Sequence, residues 1–133
     1  MTAEATIATK LGIQPGTVAM EIGHDDDVDS ELREAVEKAT GADLLSDESG
    51  EVVDVVLAWF REDDGDLMDF LVDARAPLAE GGIIWLLTPK TGRDGYVEPS
   101  DISEAASSAG LARTSTISAV SEWSATRLVG PRG

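Results

Sequence analysis

Three apolar runs separated by amphipathic segments restrict this chain more than any other feature. "GTVAMEI" (16–22), "VVDVVLAWF" (52–60) and "IIWLLTP" (83–89) are short, nearly continuous in apolar character, and rich in β-branched and aromatic residues. Such runs suit strands buried on both faces, as in a parallel sheet covered by helices. Between them the period changes to that of a helix. In "DVDSELREAVEKATG", Val28, Leu32, Ala35, Val36 and Ala39 share one stripe, acids fill the first turn, and Gly41 supplies a stop. Leu67, Phe70, Leu71, Ala74 and Leu78 then recur at helical spacing behind Asp66, a natural N-cap. This second helix is expected to distort at Pro77 and to close at Gly81-Gly82. "SDISEAASSAGL" reads as a third helix, capped by Ser100 or Asp101 and stopped by Gly110. Leu44-Leu45 suggests a stub of strand. "ARTSTISAV" and "WSATRLVG" alternate as an antiparallel pair that turns at Ser121-Glu122.

That alternation predicts an α/β, single-domain, Rossmann-like fold: a mostly parallel sheet with helices on both faces and a C-terminal antiparallel hairpin. A length of 133 residues at 42% hydrophobic content suits one domain over 1–133, with 1–10 expected to be a flexible N-terminus. No apolar run approaches the roughly 18–20 residues of a membrane helix, and the N-terminus lacks the pattern of a signal peptide. The expected location is cytoplasmic, without membrane contact. The chain has no cysteine, so disulfides, thiolate metal sites and cysteine nucleophiles are excluded.

The net charge of −16 is distributed unevenly. Residues 25–73 hold 18 of the 26 acids and only Arg33, Lys38 and Arg61 as bases, so that segment carries −15, whereas seven bases and eight acids leave the rest near neutrality. A field of this sign repels phosphate backbones, so direct nucleic-acid binding is not expected. A basic segment of another protein is the partner class such a field favours. A monomer or weak homodimer is expected.

Ligands of open parallel sheets sit outside the carboxyl ends of the strands. Those ends are "GHDDD" (Gly23, His24, Asp25, Asp26, Asp27), the Glu62-Asp63-Asp64 run after Arg61, and a third group with Thr88, Lys90 and Arg93. These residues form the candidate ligand or partner edge. Carboxylates at Asp25, Asp27 and Asp63 could attract a hard cation. However, "DDDVDSELREAVE" departs from a calcium loop, with Ser30 at the turn glycine and Val36 at the closing glutamate. The aspartates are better read as stabilising a helix N-terminus, and no metal is expected. His24, the only histidine, has no sequence partner for acid–base catalysis, and no catalytic residue is assigned. The three tryptophans, Trp59, Trp85 and Trp123, are expected in the core.

The stretches "VVDVVLAWF", "LAEGGIIWLLTPK", "DISEAASSAGL" and "STISAVSEWSATRLV" resemble the second half of a class I S-adenosylmethionine-dependent methyltransferase. "LGIQPGTVAMEIG" resembles the entry to that family's first strand. The likeness covers nearly the whole chain, with a shortened middle. More closely, the chain resembles small acidic actinobacterial proteins of unknown function that share "LGI-PG", "DGDL" and "IWLLTPK-GRDG-VEPSDI". Against the methyltransferase glycine loop, Glu21 and Gly23 match, but Asp25 and Asp27 stand at the other two glycine positions. Each adds a Cβ and a negative charge toward the cofactor's carboxylate. The family's Asn/Asp-Pro-Pro-Tyr type of catalytic motif is missing from this sequence. The resemblance therefore implies the architecture, and no cofactor is expected. The preferred reading is a non-catalytic protein-interaction or regulatory binding module. The alternative is an enzyme or sensor that binds S-adenosylmethionine or a nucleotide through an altered loop.

Overall fold

The computed structural model describes residues 11–23, 25, 26, 28–46, 51–118 and 122–130. The expected flexible segment 1–10 and the hairpin-turn residue Ser121 lie outside the described residues. The chain runs β1 (Ala19–Ile22), α1 (Ser30–Thr40), β2 (Leu45–Ser46), β3 (Val53–Trp59), a 3-10 turn (Glu62–Asp64), α2 (Leu67–Arg75), β4 (Leu78–Pro89), α3 (Pro99–Ser108), β5 (Ala112–Ser118) and β6 (Trp123–Val129). One sheet is ordered β2-β1-β3-β4-β6-β5. The first four strands are parallel, and the β5–β6 hairpin joins through antiparallel pairing of β6 to β4. The three apolar runs are thus adjacent and parallel, as expected.

Each face of the sheet has its own core. Leu32, Ala35 and Val36 of α1 pack over Val55, Leu57, Trp59, Trp85, Leu87 and Trp123. On the other face, Leu71 and Ala74 of α2 and Ile102 and Ala106 of α3 cover Met20, Val56, Ala58, Ile84, Leu86 and Leu128. All three tryptophans are buried, and the Trp85 indole N–H donates to the Leu11 carbonyl at 3.1 Å. The caps of α1 follow the sequence signals. Asp29 accepts the Leu32 N–H at 2.9 Å, and Gly41 ends the helix with a left-handed φ of 81°.

Two boundaries differ from the sequence reading. The second helix ends at Arg75, so Leu78 and Gly81-Gly82 belong to β4. Pro77 has no N–H for a further helical hydrogen bond, and its ring clashes with the preceding turn. Its carbonyl instead accepts the Val53 N–H at 2.9 Å, and Leu78 pairs with Val53. The spare residues before Ile83 are absorbed by a register shift that includes Gly81 at φ 79°. The third helix starts earlier than Ser100 or Asp101. Glu98 is its N-cap without a side-chain hydrogen bond, and Pro99 occupies the first turn. Proline is preset for that position and has no N–H to satisfy there, so no side-chain cap is needed at the start.

Candidate functional site

The order in which strands are added across the sheet reverses between β1 and β3, because β2 lies on one side of β1 and β3 on the other. Doubly wound sheets open a ligand crevice at such a point, outside the carboxyl ends of the two strands. Here Gly23 follows β1 and Arg61 follows β3, and they meet across the opening. The Arg61 guanidinium, through Nη1, donates to the Gly23 carbonyl at 2.8 Å and to the Trp59 carbonyl at 3.4 Å. It also pairs with Asp64 at 3.3 Å and lies 5.3 Å from the centroid of the Trp123 ring. Arg61 is only 8% exposed. A buried guanidinium is tolerated when its charge meets carbonyl dipoles, a carboxylate and an aromatic face together, and all three are supplied here.

Gly23 has a structural reason to be glycine. Its φ is 76°, and a Cβ would run into the Trp59 carbonyl oxygen. The room saved by the missing side chain is filled by the end of β3. Glu21, the acid of the glycine-loop likeness, is buried beneath. Its carboxylate accepts the Arg33 Nε–H at 2.6 Å and the Trp59 indole N–H at 2.9 Å. That hydrogen bond to Glu21 raises the Arg33 guanidinium pKa above its ordinary value. Trp59 in turn meets Trp123 edge to face at 4.9 Å between centroids.

The acidic residues stand outside this closure. Asp25, Asp26, Glu62 and Asp63 are exposed, and the Arg61–Gly23 hydrogen bond joins the two segments that carry them. Asp64 also accepts the Arg61 backbone N–H at 2.9 Å. His24 and Asp27 lie outside the described residues. Among the described residues, no three acidic or imidazole side chains form a group that could hold a metal ion. The third group of the predicted edge divides. Arg93 pairs with the Glu122 carboxylate at 2.8 Å, and the Lys90 N–H donates to the Glu122 carbonyl at 3.2 Å, so both serve to hold the 90–98 loop. Thr88 is buried and lines a small cavity beneath α3.

Sequence reasoning places Arg61 at a strand's carboxyl end, as one base in an acidic segment, and gives it no role in the candidate edge. The available signal is its place directly after a buried strand and before Glu62-Asp63-Asp64: a lone base there has acids and carbonyl ends as neighbours. The partnership of Glu21 with Trp59 and Arg33 has no local signal, because the residues are 38 and 12 positions away.

A family model described as a protein of unknown function (DUF3052) matches residues 8–132. The chain is 52% identical over 125 residues to uncharacterised proteins of Mycobacterium tuberculosis and Mycobacterium bovis, covering 94% of this chain and 78% of each relative. Among solved structures, the pyocyanin biosynthetic protein PhzM is similar with a TM-score of 0.71 at 12% identity, over 97% of this chain and 54% of that one. The neocarzinostatin O-methyltransferase NcsB1, in complex with S-adenosylhomocysteine, gives 0.63 at 14% identity over 87% and 49%. Magnesium protoporphyrin IX methyltransferase from Synechocystis, with bound S-adenosylmethionine, gives 0.60 at 11% identity over 97% and 78%. The chain spans about half the length of the first two of these structures, and at such identities the likeness is one of fold. The chain belongs to the DUF3052 family of proteins of unknown function, built on a methyltransferase-like α/β sheet.

Proposed function

We propose that this domain is a non-catalytic binding module that uses the acidic rim around its closed crevice to engage a basic segment of another protein. One observation carries the reading: Arg61 bridges the ends of β1 and β3 through the Gly23 carbonyl. At the opening where this sheet type receives a nucleotide cofactor, the protein's own side chain spans the two strand ends. Glu21 supports the same reading, since both its hydrogen bonds go to Arg33 and Trp59. Outside the closure, Asp25, Asp26, Glu62 and Asp63 leave a field that attracts cationic segments and speeds their association.

Calorimetric titration with S-adenosylmethionine, S-adenosylhomocysteine and ATP is expected to give no saturable heat. Saturable micromolar binding of any of them, weakened by Asp25→Lys, would favour the altered-loop enzyme or sensor instead. The partner side is tested by affinity capture with wild type and with an Asp25→Asn/Asp26→Asn/Glu62→Gln/Asp63→Asn variant. The variant is expected to lose a specific basic partner and the salt dependence of its capture. Unchanged recovery and salt dependence would leave the rim a solvated surface only.

A further inference from the structure

We propose that the cavity beneath α3, at the carboxyl end of β4, binds a small organic carboxylate: one carboxyl group on a short aliphatic chain. The α3 face of the sheet is apolar along Ile84, Leu86 and Leu128 and then changes character at one end. Thr88 pairs in register with Ser124, and Leu86 with Thr126. Thr116 pairs with Thr126 on the next strand. Hydroxyls thus replace the core over a patch where three strands meet, and the side chains of Thr88, Thr116, Ser124 and Thr126 line a cavity of about 110 Å³.

Two of its groups call for a ligand. Thr88 is 3% exposed, yet its hydroxyl makes no hydrogen bond to any described residue, although buried hydroxyls are ordinarily satisfied. The exposed Arg113 also lines the cavity, and its guanidinium makes no hydrogen bond or ion pair with a described residue, unlike those of Arg33, Arg61, Arg75, Arg93 and Arg127. The start of α3 adds little, since Pro99 has no N–H and the Asp101 and Ile102 N–H groups turn back to the Glu98 carbonyl.

The class of ligand follows from charge, shape and size. One guanidinium offers a fork that matches a carboxylate, and the hydroxyls donate to the same oxygens. Val97 and Ile102 line the cavity beside these groups, so a short aliphatic tail has apolar surface to cover. A phosphate dianion would meet a single cation within a chain of net charge −16, which disfavours it relative to a monoanion. The volume of about 110 Å³ limits the part of the ligand held inside to a short chain.

The experiment titrates the full chain with butyrate, acetate, butyramide and inorganic phosphate at matched pH and ionic strength. Amide chemical shifts of the ¹⁵N-labelled protein are followed. Butyrate is expected to give saturable shifts clustered at Thr88, Thr116, Ser124 and Thr126, with acetate weaker and butyramide without effect. Arg113→Gln should weaken butyrate binding about tenfold or more, the worth of a charge-assisted hydrogen bond. Thr88→Val, nearly the same shape, should weaken it several-fold while the remaining spectrum stays folded. Absence of clustered saturable shifts, equal binding by Arg113→Gln, or phosphate binding more tightly than butyrate would each overturn the proposal.

Discussion

Two openings on the same rim of the sheet contrast in how an arginine is used. At the β1–β3 crevice, Arg61 is buried and committed to two carbonyls, a carboxylate and an aromatic face. At the β4–β6 cavity, the Arg113 guanidinium is exposed and has no described partner, and the buried Thr88 hydroxyl that lines the same cavity is likewise unpaired among the described residues. The first arrangement satisfies its polar groups within the chain; the second leaves polar groups whose satisfaction has to come from outside the chain. The contrast shows that a fold's usual ligand position need not be its open one. The groups that close one opening are supplied by β6 and the residues after β1 and β3, whereas those that line the other come from β4, β5, β6, the 90–98 loop and α3.

The comparison can be broken most directly at Gly23. Gly23→Ala forces a Cβ into the Trp59 carbonyl at a left-handed φ of 76°, so a loss of more than about 3 kcal/mol is expected, or failure to fold. Gly92, in the loop beside the open cavity, has φ 89°, and a Cβ added there would meet nothing within 4 Å. Gly92→Ala should therefore cost only the left-handed penalty of about 1–2 kcal/mol. Chemical denaturation of both variants checks the difference. Equal losses would mean that the strand ends are not closed on each other.

A second effect, smaller than the first, is expected from Arg61 itself. Arg61→Met keeps much of the side chain's volume but removes the charge that meets Gly23, Trp59, Asp64 and Trp123. A loss of about 2–3 kcal/mol is expected, since two carbonyls and a carboxylate lose their donor. Arg113→Met, at the other opening, should change stability by less than about 0.5 kcal/mol, as for surface substitutions away from such features. If the two arginines proved equivalent in urea unfolding, the distinction between a closed and an open site would fail.

How much of this is legible in the sequence depends on whether the controlling signal is local. The buried strands are readable because "VVDVVLAWF" and "IIWLLTP" carry their environment in every residue, and α1 because Asp29 and Gly41 mark its ends. The end of α2 is misread because Leu78 continues the helical spacing. The pairing of Leu78 with Val53, which fixes it in β4, is a contact between distant residues. The candidate edge is legible in part: the strand-end rule identifies Gly23, Glu62, Asp63, Asp64 and Thr88 as rim residues. It does not say that Arg61 turns inward, nor that Thr88 faces a different opening from Arg93, because side-chain direction at a strand end is set by the neighbouring strands. The hydroxyl patch is invisible for the same reason. Thr116, Ser124 and Thr126 become neighbours of Thr88 only through the antiparallel register of the hairpin.

Thr88→Val gives a smaller effect of the opposite kind. A buried hydroxyl without a protein partner contributes no net stability, so replacing it with a methyl group should be neutral or stabilising by up to about 1 kcal/mol. For a domain of this size that corresponds to a rise of no more than about 5 °C in melting temperature. A loss beyond about 1 kcal/mol would show that the hydroxyl is held by a strong partner in the free protein, and the open side of the comparison would then resemble the closed one.

The smallest effect belongs to the acidic rim, and its sign is informative. Asp25, Asp26, Glu62 and Asp63 are exposed and lie on segments joined by the Arg61–Gly23 contact, in the part of the chain that carries most of the charge. Like charges held near one another oppose the compact state, so neutralising all four as amides should raise the melting temperature slightly, by about 2 °C or less. The gain should shrink as salt is added, because the Debye length falls from about 10 Å at 0.1 M to about 3 Å at 1 M. A set on α3 and its N-cap, Glu98, Asp101 and Glu104, should give a smaller gain, because residues 74–133 hold six bases against six acids. Scanning calorimetry of the two amide variants at low and high salt separates them. If the rim variant melts lower than wild type, those carboxylates make stabilising contacts within the domain, and a surface already committed to the fold is a poor one for receiving a basic partner.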